Sequence, residues 1–187
     1  MHEDQTLATI DQLKILIRQK SILGLEAMSK KQDLQVESIS QDDKVLGHWL
    51  SAISVSGDKI HITFKVQFAI KTANSFSKHI FQHVKEGISN SQNKDFMREF
   101  CNMVAGYIKN TLINNNLVVG VSLPLLCRGF DNFFFEPPTH SRSGKDCWRL
   151  FDNENNVYCS SVIELTDDIK INIEKGSTVQ TGEVEFL

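Results

Sequence analysis

Between residues 46 and 68 the chain alternates twice. In WLSAISVSG and again in KIHITFKVQF, Ile, Val and Phe take one set of positions. Ser, His, Thr and Lys take much of the other, and Ser56-Gly57-Asp58-Lys59 supplies a turn between the two runs. A period of two puts the apolar set on one face of a pleated ribbon, so the segment reads as a β-hairpin with one buried face. Such a hairpin needs a second layer against its apolar side.

Residues 95–112, DFMREFCNMVAGYIKNTL, can supply that layer as a helix. At about 100° per residue, Phe96, Phe100, Met103, Val104, Tyr107, Ile108 and Leu112 crowd one broad arc. Asp95, Glu99, Asn102, Gly106, Lys109 and Asn110 fall on the other side. Glu99 and Asn102, at i and i+3, place a carboxylate almost above a carboxamide. Gly106 costs roughly 1 kcal/mol of helix propensity relative to alanine, and its missing side chain leaves that face low enough for another surface to come close. A Glu and an Asn at this spacing are common on solvated helices, so the pair alone specifies no chemistry.

The remaining elements follow from the same periodicities. Residues 7–24 read as a first helix, with Thr6 or Thr9 as cap, Leu7, Ile10, Leu13 or Lys14, and Ile17 on one face, and Gly24 loosening its end. Residues 26–43 are polar, with a short strand suggested by Leu34, Val36 and Ile39. Residues 72–87 form a helix whose core face is marked by Ala73, Phe76, Ile80, Val84 and Ile88, with Phe81 nearby, followed by the polar break SNSQNKD. Residues 117–127 are apolar apart from Ser122 and read as one strand, buried on both faces or inner in the sheet. Pro124 marks a strand end, a bulge or an edge. Residues 131–145, with three consecutive Phe and Pro137-Pro138, read as a loop. Residues 148–151, 157–165 and 169–173 form a closing meander, and the tail after Gly176 adds a short final strand. The order predicts an α+β fold with helices on a mostly antiparallel sheet, in one domain spanning residues 1–187.

Composition narrows the function classes. A formal net charge of −3 argues against a nucleic-acid surface. No run of eighteen apolar residues exists and the first residues are acidic, which predicts a soluble, cytoplasmic protein with no membrane contact. Cys101, Cys127, Cys147 and Cys159 match no compact zinc spacing and read as reduced, structural thiols. His79 and His83 stand one turn apart, without the glutamate of a zinc-protease motif or an evident third ligand. They read as solvated or flank-packing, and no metal site is expected. His140 with Arg142 and Lys145 could make an anion-binding tip, although a polar loop of this composition needs no function. No strand–helix unit contains a glycine-rich phosphate loop, so a doubly wound nucleotide-binding fold is disfavoured.

The run E99-F-C-N102-M-V-A-G106, followed by V118-V-G-V-S-L-P124-L-L-C-R-G129, resembles the signature of the CheC/CheX/FliY family of chemotaxis phosphatases. The segment LGHWLSAISVSGDKIHITF resembles the family's hairpin before the first of its two long helices, and a single motif copy is closer to the CheX branch. The resemblance covers roughly residues 7–175, with its specific part confined to the short motif. It implies a CheC/CheX-like α+β fold, two long helices packed on a mostly antiparallel sheet plus an N-terminal helix. The implied activity is hydrolysis of the aspartyl phosphate on a CheY-like response-regulator receiver domain, in two-component chemotaxis signalling. Asn102 would orient the in-line water and Glu99 would dock to the receiver's lysine, with Arg98, Gly106 and Lys109 in the docking surface. No cofactor is bound by this chain in that reading, since Mg2+ belongs to the receiver, and a homodimer is implied. The alternative within the resemblance is a non-catalytic signalling protein that binds a response regulator. A third reading is an unrelated α+β enzyme using the histidines or cysteines, which requires them to converge in a pocket.

Overall fold

In a computed structural model of the chain, residues 2–40, 48–82, 87–129 and 142–173 are described. The long helix α1 (His2–Ser29) leads into β1 (Gln35–Ser38), and the hairpin follows as β2 (Trp49–Ser56) and β3 (Ile60–Phe68). Helices α2 (Ile70–Ser77) and α3 (Asn90–Asn114) come next, then β4 (Gly120–Val121), β5 (Leu125–Arg128), β6 (Ser143–Phe151) and β7 (Asn156–Leu165). Among the described residues the seven strands form one antiparallel sheet in the order β1-β6-β7-β3-β2-β4, with β5 also paired to β2. The expected α+β architecture, helices on a mostly antiparallel sheet, is what the chain adopts.

The hairpin alternation decides which face the helices cover. Ile53 and Val55 of β2 and Ile60, Ile62, Phe64, Val66 and Phe68 of β3 are buried together with Phe96, Phe100, Val104 and Ile108 of α3. Phe64 meets Phe100 edge-on, with ring centroids 5.8 Å apart, and lies 6.1 Å from Trp148 of β6. Each such buried side chain contributes about 1.5–3 kcal/mol of transfer free energy. Trp148 also satisfies its indole N–H, which donates to Ser21 Oγ at 3.1 Å, so the largest core side chain leaves no polar atom stranded.

Helix α1 runs further than its periodicity predicts, straight through Gly24. An added Cβ there would stand 3.4 Å from Met103 Sδ and 3.6 Å from Phe100 Cε2, so Gly24 marks the close crossing of α1 on α3 rather than a helix end. Thr6 and Thr9 are interior to α1 and do not cap it. Thr6 Oγ1 donates to Asp168 Oδ1 at 2.9 Å and Thr9 Oγ1 to the Ile169 carbonyl at 3.0 Å, tying the helix to the chain beyond β7. Leu7, expected on the core face, is exposed.

Three strand expectations change. Residues 117–127 do not make one buried strand. They form the short edge pieces β4 and β5 on the two ends of β2, with Val118 91% and Leu123 90% exposed. Pro124, which has no backbone donor, lies in the break between them. Ser122 stitches it: its backbone N–H donates to the Ser54 carbonyl at 2.9 Å, and its hydroxyl accepts from the Ser54 N–H at 3.0 Å. Residues 143–145, read as loop, open β6, paired from Ser143↔Glu164 onward. Residues 169–172 form no strand, because the side chain of Asn115 takes the place of a strand neighbour. It accepts from the Asn172 N–H at 2.7 Å and donates to the Asn172 carbonyl at 3.1 Å.

Helix α2 is regular over eight residues and continues as turns to residue 82. Its Ser77 hydroxyl donates to Asn93 Oδ1 of α3 at 2.9 Å, a buried bond that fixes α2 against α3. The expectations for His83 and Val84, for the Phe-rich and Pro-rich loop with His140, and for a final strand after Gly176 lie outside the described residues.

Candidate functional site on helix α3

Ser89 and Gln92 start α3 with a reciprocal capping box. The Gln92 N–H donates to Ser89 Oγ at 3.2 Å, and the Ser89 N–H donates to Gln92 Oε1 at 2.9 Å. Phe96, Met97, Phe100, Cys101, Val104, Ala105, Ile108 and Leu112 are buried against the sheet and the neighbouring helices. Met103 and Tyr107, expected in the core, are only half-buried on the side of α3 that α1 crosses, with Gly24 close to Met103 and Lys20 Nζ 5.5 Å from the Tyr107 ring centroid.

The arc left open carries the residues that the sequence singled out. Glu99, Asn102, Gly106 and Lys109 are all partly exposed along it. Asn102 Nδ2 donates to Glu99 Oε2 at 3.0 Å. The i,i+3 geometry therefore produces a real contact, with a defined sense. The amide N–H2 is turned to the carboxylate, which leaves the amide oxygen and the second carboxylate oxygen available to a partner. A Cβ at Gly106 would meet no atom within 4 Å, so the face is open at that turn. Arg98 stays on the helix surface, where Nη2 pairs with Asp95 Oδ1 at 2.8 Å.

The basic flank of this arc escaped the sequence reading. Lys94 Nζ lies 3.6 Å from the Trp49 ring centroid and Arg128 Cζ lies 4.6 Å from it. Trp49 and Arg128 are register partners across β2 and β5, so their meeting depends on the edge lane, whose pairing no local pattern announces.

The rival chemistries find less. Among the described residues, no three His, Cys, Asp or Glu side chains converge as a metal-binding group. Cys101 and Cys159 are buried free thiols. Burial pushes Cys101 up to about 12 and raises Cys159 well above an ordinary thiol. Neither is an activated nucleophile. His79 is exposed on the turn after α2. Lys145 sits within β6, across from Val162, and Arg142 Nη1 is 3.5 Å from Asp168 Oδ1, so these two do not form a common tip. Two surface hollows, of about 370 and 330 Å3, lie beside Lys59 and Asp168 and beside Leu50 and Leu123; neither is lined by Glu99 or Asn102. Among the described residues no helix is long and apolar enough to cross a membrane.

No family model and no curated protein matches the chain. Solved structures do. A CheC-like superfamily protein from Shewanella sp. PV-4 is similar with a TM-score of 0.62 at 16% identity, over 86% of this chain and 97% of that one. The chemotaxis protein CheX from Vibrio vulnificus is similar with a TM-score of 0.61 at 15% identity, over 80% of this chain and 97% of that one. The chain has the CheC/CheX/FliY fold. A structure described as the CheX–CheY–BeF3–Mg2+ complex from Borrelia burgdorferi shares this CheC/CheX-like fold as well, with a TM-score of 0.63 at 12% identity, over 80% of this chain and 96% of that one.

Proposed function

We propose that the chain is a phosphatase for the aspartyl phosphate of a CheY-like receiver domain, acting in chemotaxis signalling. The observation that carries this reading is the Asn102–Glu99 hydrogen bond on an open helix face, 3.0 Å long. The fold shared with a CheX that has been captured with CheY supports it.

An acyl phosphate is already labile, and the receiver supplies a divalent metal and a lysine beside the phosphoryl group. What the docking helix adds is position: a water held in line with the breaking P–O bond. Asn102 is suited to that work. Its N–H2 is anchored on Glu99, so its oxygen accepts a water hydrogen and turns the water oxygen toward phosphorus, without bringing negative charge to the phosphoryl group. A carboxylate in that place would repel it. Glu99 keeps one oxygen for the receiver's ammonium, a charge-assisted bond that is strong once the interface closes and weak while exposed. Gly106, Arg98 and Lys109 complete the docking face, and the partner's metal is the one ion the reaction needs.

The test is the lifetime of the phosphorylated receiver domains of the source organism, with magnesium, in the presence of wild-type chain, Asn102→Ala or Glu99→Ala. Faster decay with wild type, lost in either variant, is the expected result. Unchanged decay across the full set of receivers with wild type would sink the reading and leave a protein that only binds.

A further inference from the structure

The cations on the flank of α3 have no counterpart in the roles given to Glu99 and Asn102. At about 100° per residue, Lys94, Arg98, Lys109 and Asn102 fall within about 80° of one another around α3, with Gly106 and Glu99 beyond Asn102. The amide therefore stands between a basic flank and an acidic one. Lys94 and Arg128 are gathered on the ring of Trp49, at 3.6 and 4.6 Å from its centroid. Neither forms an ion pair among the described residues. Lys94, Arg98, Lys109 and Arg128 outnumber Asp95 and Glu99 here, in a chain whose formal net charge is −3.

Two like charges held on one indole repel each other, and an anion brought near both offsets that repulsion. The ring attracts each cation and restricts both long side chains before any partner arrives. Less freedom is then lost on docking than by the same charges on free stems. Lys94 lies about 12 Å along the helix axis from Asn102, beyond the Debye length of about 8 Å at physiological salt and well inside the roughly 30 Å of 0.01 M salt. Its charge thus acts at low salt on whatever approaches the amide, without touching the reacting atoms.

We propose that Trp49, Lys94 and Arg128 form a pre-ordered cationic rim that captures the anionic surface around the receiver's aspartyl phosphate. This rests on the phosphatase reading. The partner's chemistry follows from its reaction: a phosphoryl group that works with a hard divalent metal is surrounded by oxygen ligands, chiefly carboxylates. The rim sets the rate of encounter, and Asn102 sets the rate of hydrolysis.

The experiment is stopped-flow association of the full chain with a beryllofluoride-activated receiver in magnesium, at low and at physiological salt, alongside steady-state dephosphorylation. The combined Lys94→Gln and Arg128→Gln variant is expected to associate about tenfold more slowly at low salt, with a shallower salt dependence and an unchanged kcat. The charge-conserving pair Lys94→Arg and Arg128→Lys is expected to keep the wild-type rate, and loss there would assign the two side chains to packing and overturn the rim. Wild-type association and salt dependence in the neutralised variant would also overturn it, while leaving the phosphatase standing. If wild type neither binds nor dephosphorylates any receiver of its organism, the phosphatase reading fails and the rim falls with it.

Discussion

Replacing Gly106 separates what the fold needs from what docking needs. Glycine within α3 costs about 0.8–1 kcal/mol of helix stability relative to alanine. An added Cβ meets no atom within 4 Å, so no clash offsets the gain. Gly106→Ala is therefore expected to stabilise the chain by nearly that full amount. For a chain of this length, about 1 kcal/mol raises Tm by about 2–4 °C, which a thermal melt followed by circular dichroism resolves. Gly106→Trp carries the same argument to the interface. The helix face at Gly106 is open at its Cβ position, so an indole there is expected to lie toward solvent and leave the melt near wild type, while standing on the proposed docking face. Dephosphorylation is expected to fall by a factor of about 100, equivalent to about 2.7 kcal/mol of lost docking. A lowered Tm in Gly106→Ala would show that the glycine serves packing or backbone geometry. Undiminished turnover in Gly106→Trp would remove this face from the reaction.

Gly57 makes the opposite case. A Cβ there would stand 2.2 Å from the Val118 carbonyl, where the chain leaving α3 crosses the hairpin turn. Gly57→Ala is expected to lower the urea midpoint by an amount equivalent to about 1–3 kcal/mol, and an unchanged midpoint would refute that crossing. Acid should expose the clamp between Lys31, just past α1, and the β6–β7 turn. Burial acts to raise the Asp152 carboxyl, but the Lys31 ammonium and the Glu154 and Asn155 N–H groups outweigh it and hold the group at about 2, against an ordinary 3.8. A depressed folded value contributes stability that is full above the unfolded pKa and is lost as pH falls from about 4 toward 2. Water reaches both partners, so the contribution is about 1 kcal/mol. Asp152→Asn is expected to flatten that part of the stability profile, read from urea midpoints between pH 5 and 2.

Where an element's environment follows from its own sequence, that environment was legible. The two alternating runs fixed β2 and β3 because their apolar positions recur with a period of two, and the apolar arc of α3 placed Phe96, Phe100, Val104, Ile108 and Leu112 in the core and left Glu99, Asn102 and Gly106 partly exposed. Partners distant in sequence were not legible. An apolar strand reads the same at an edge as in the middle, so Val118 and Leu123 gave no sign of their exposure. Thr6 and Thr9 look like caps until Asp168 and Ile169 come back across α1, and residues 169–172 look like a strand until Asn115 supplies their pairing. Lys94, Trp49 and Arg128 come from three elements and meet only through the β2–β5 register.

In the proposed mechanism Asn102 acts on the water and not on the fold or the encounter. The direct measurement pairs single-turnover decay of the phosphorylated receiver at saturating chain with the affinity of the same chain for the beryllofluoride-activated receiver. Asn102→Ala is expected to return decay to the receiver's own rate while binding stays within a few-fold of wild type. Decay still accelerated by Asn102→Ala, or lost only in proportion to weakened binding, would contradict the assignment.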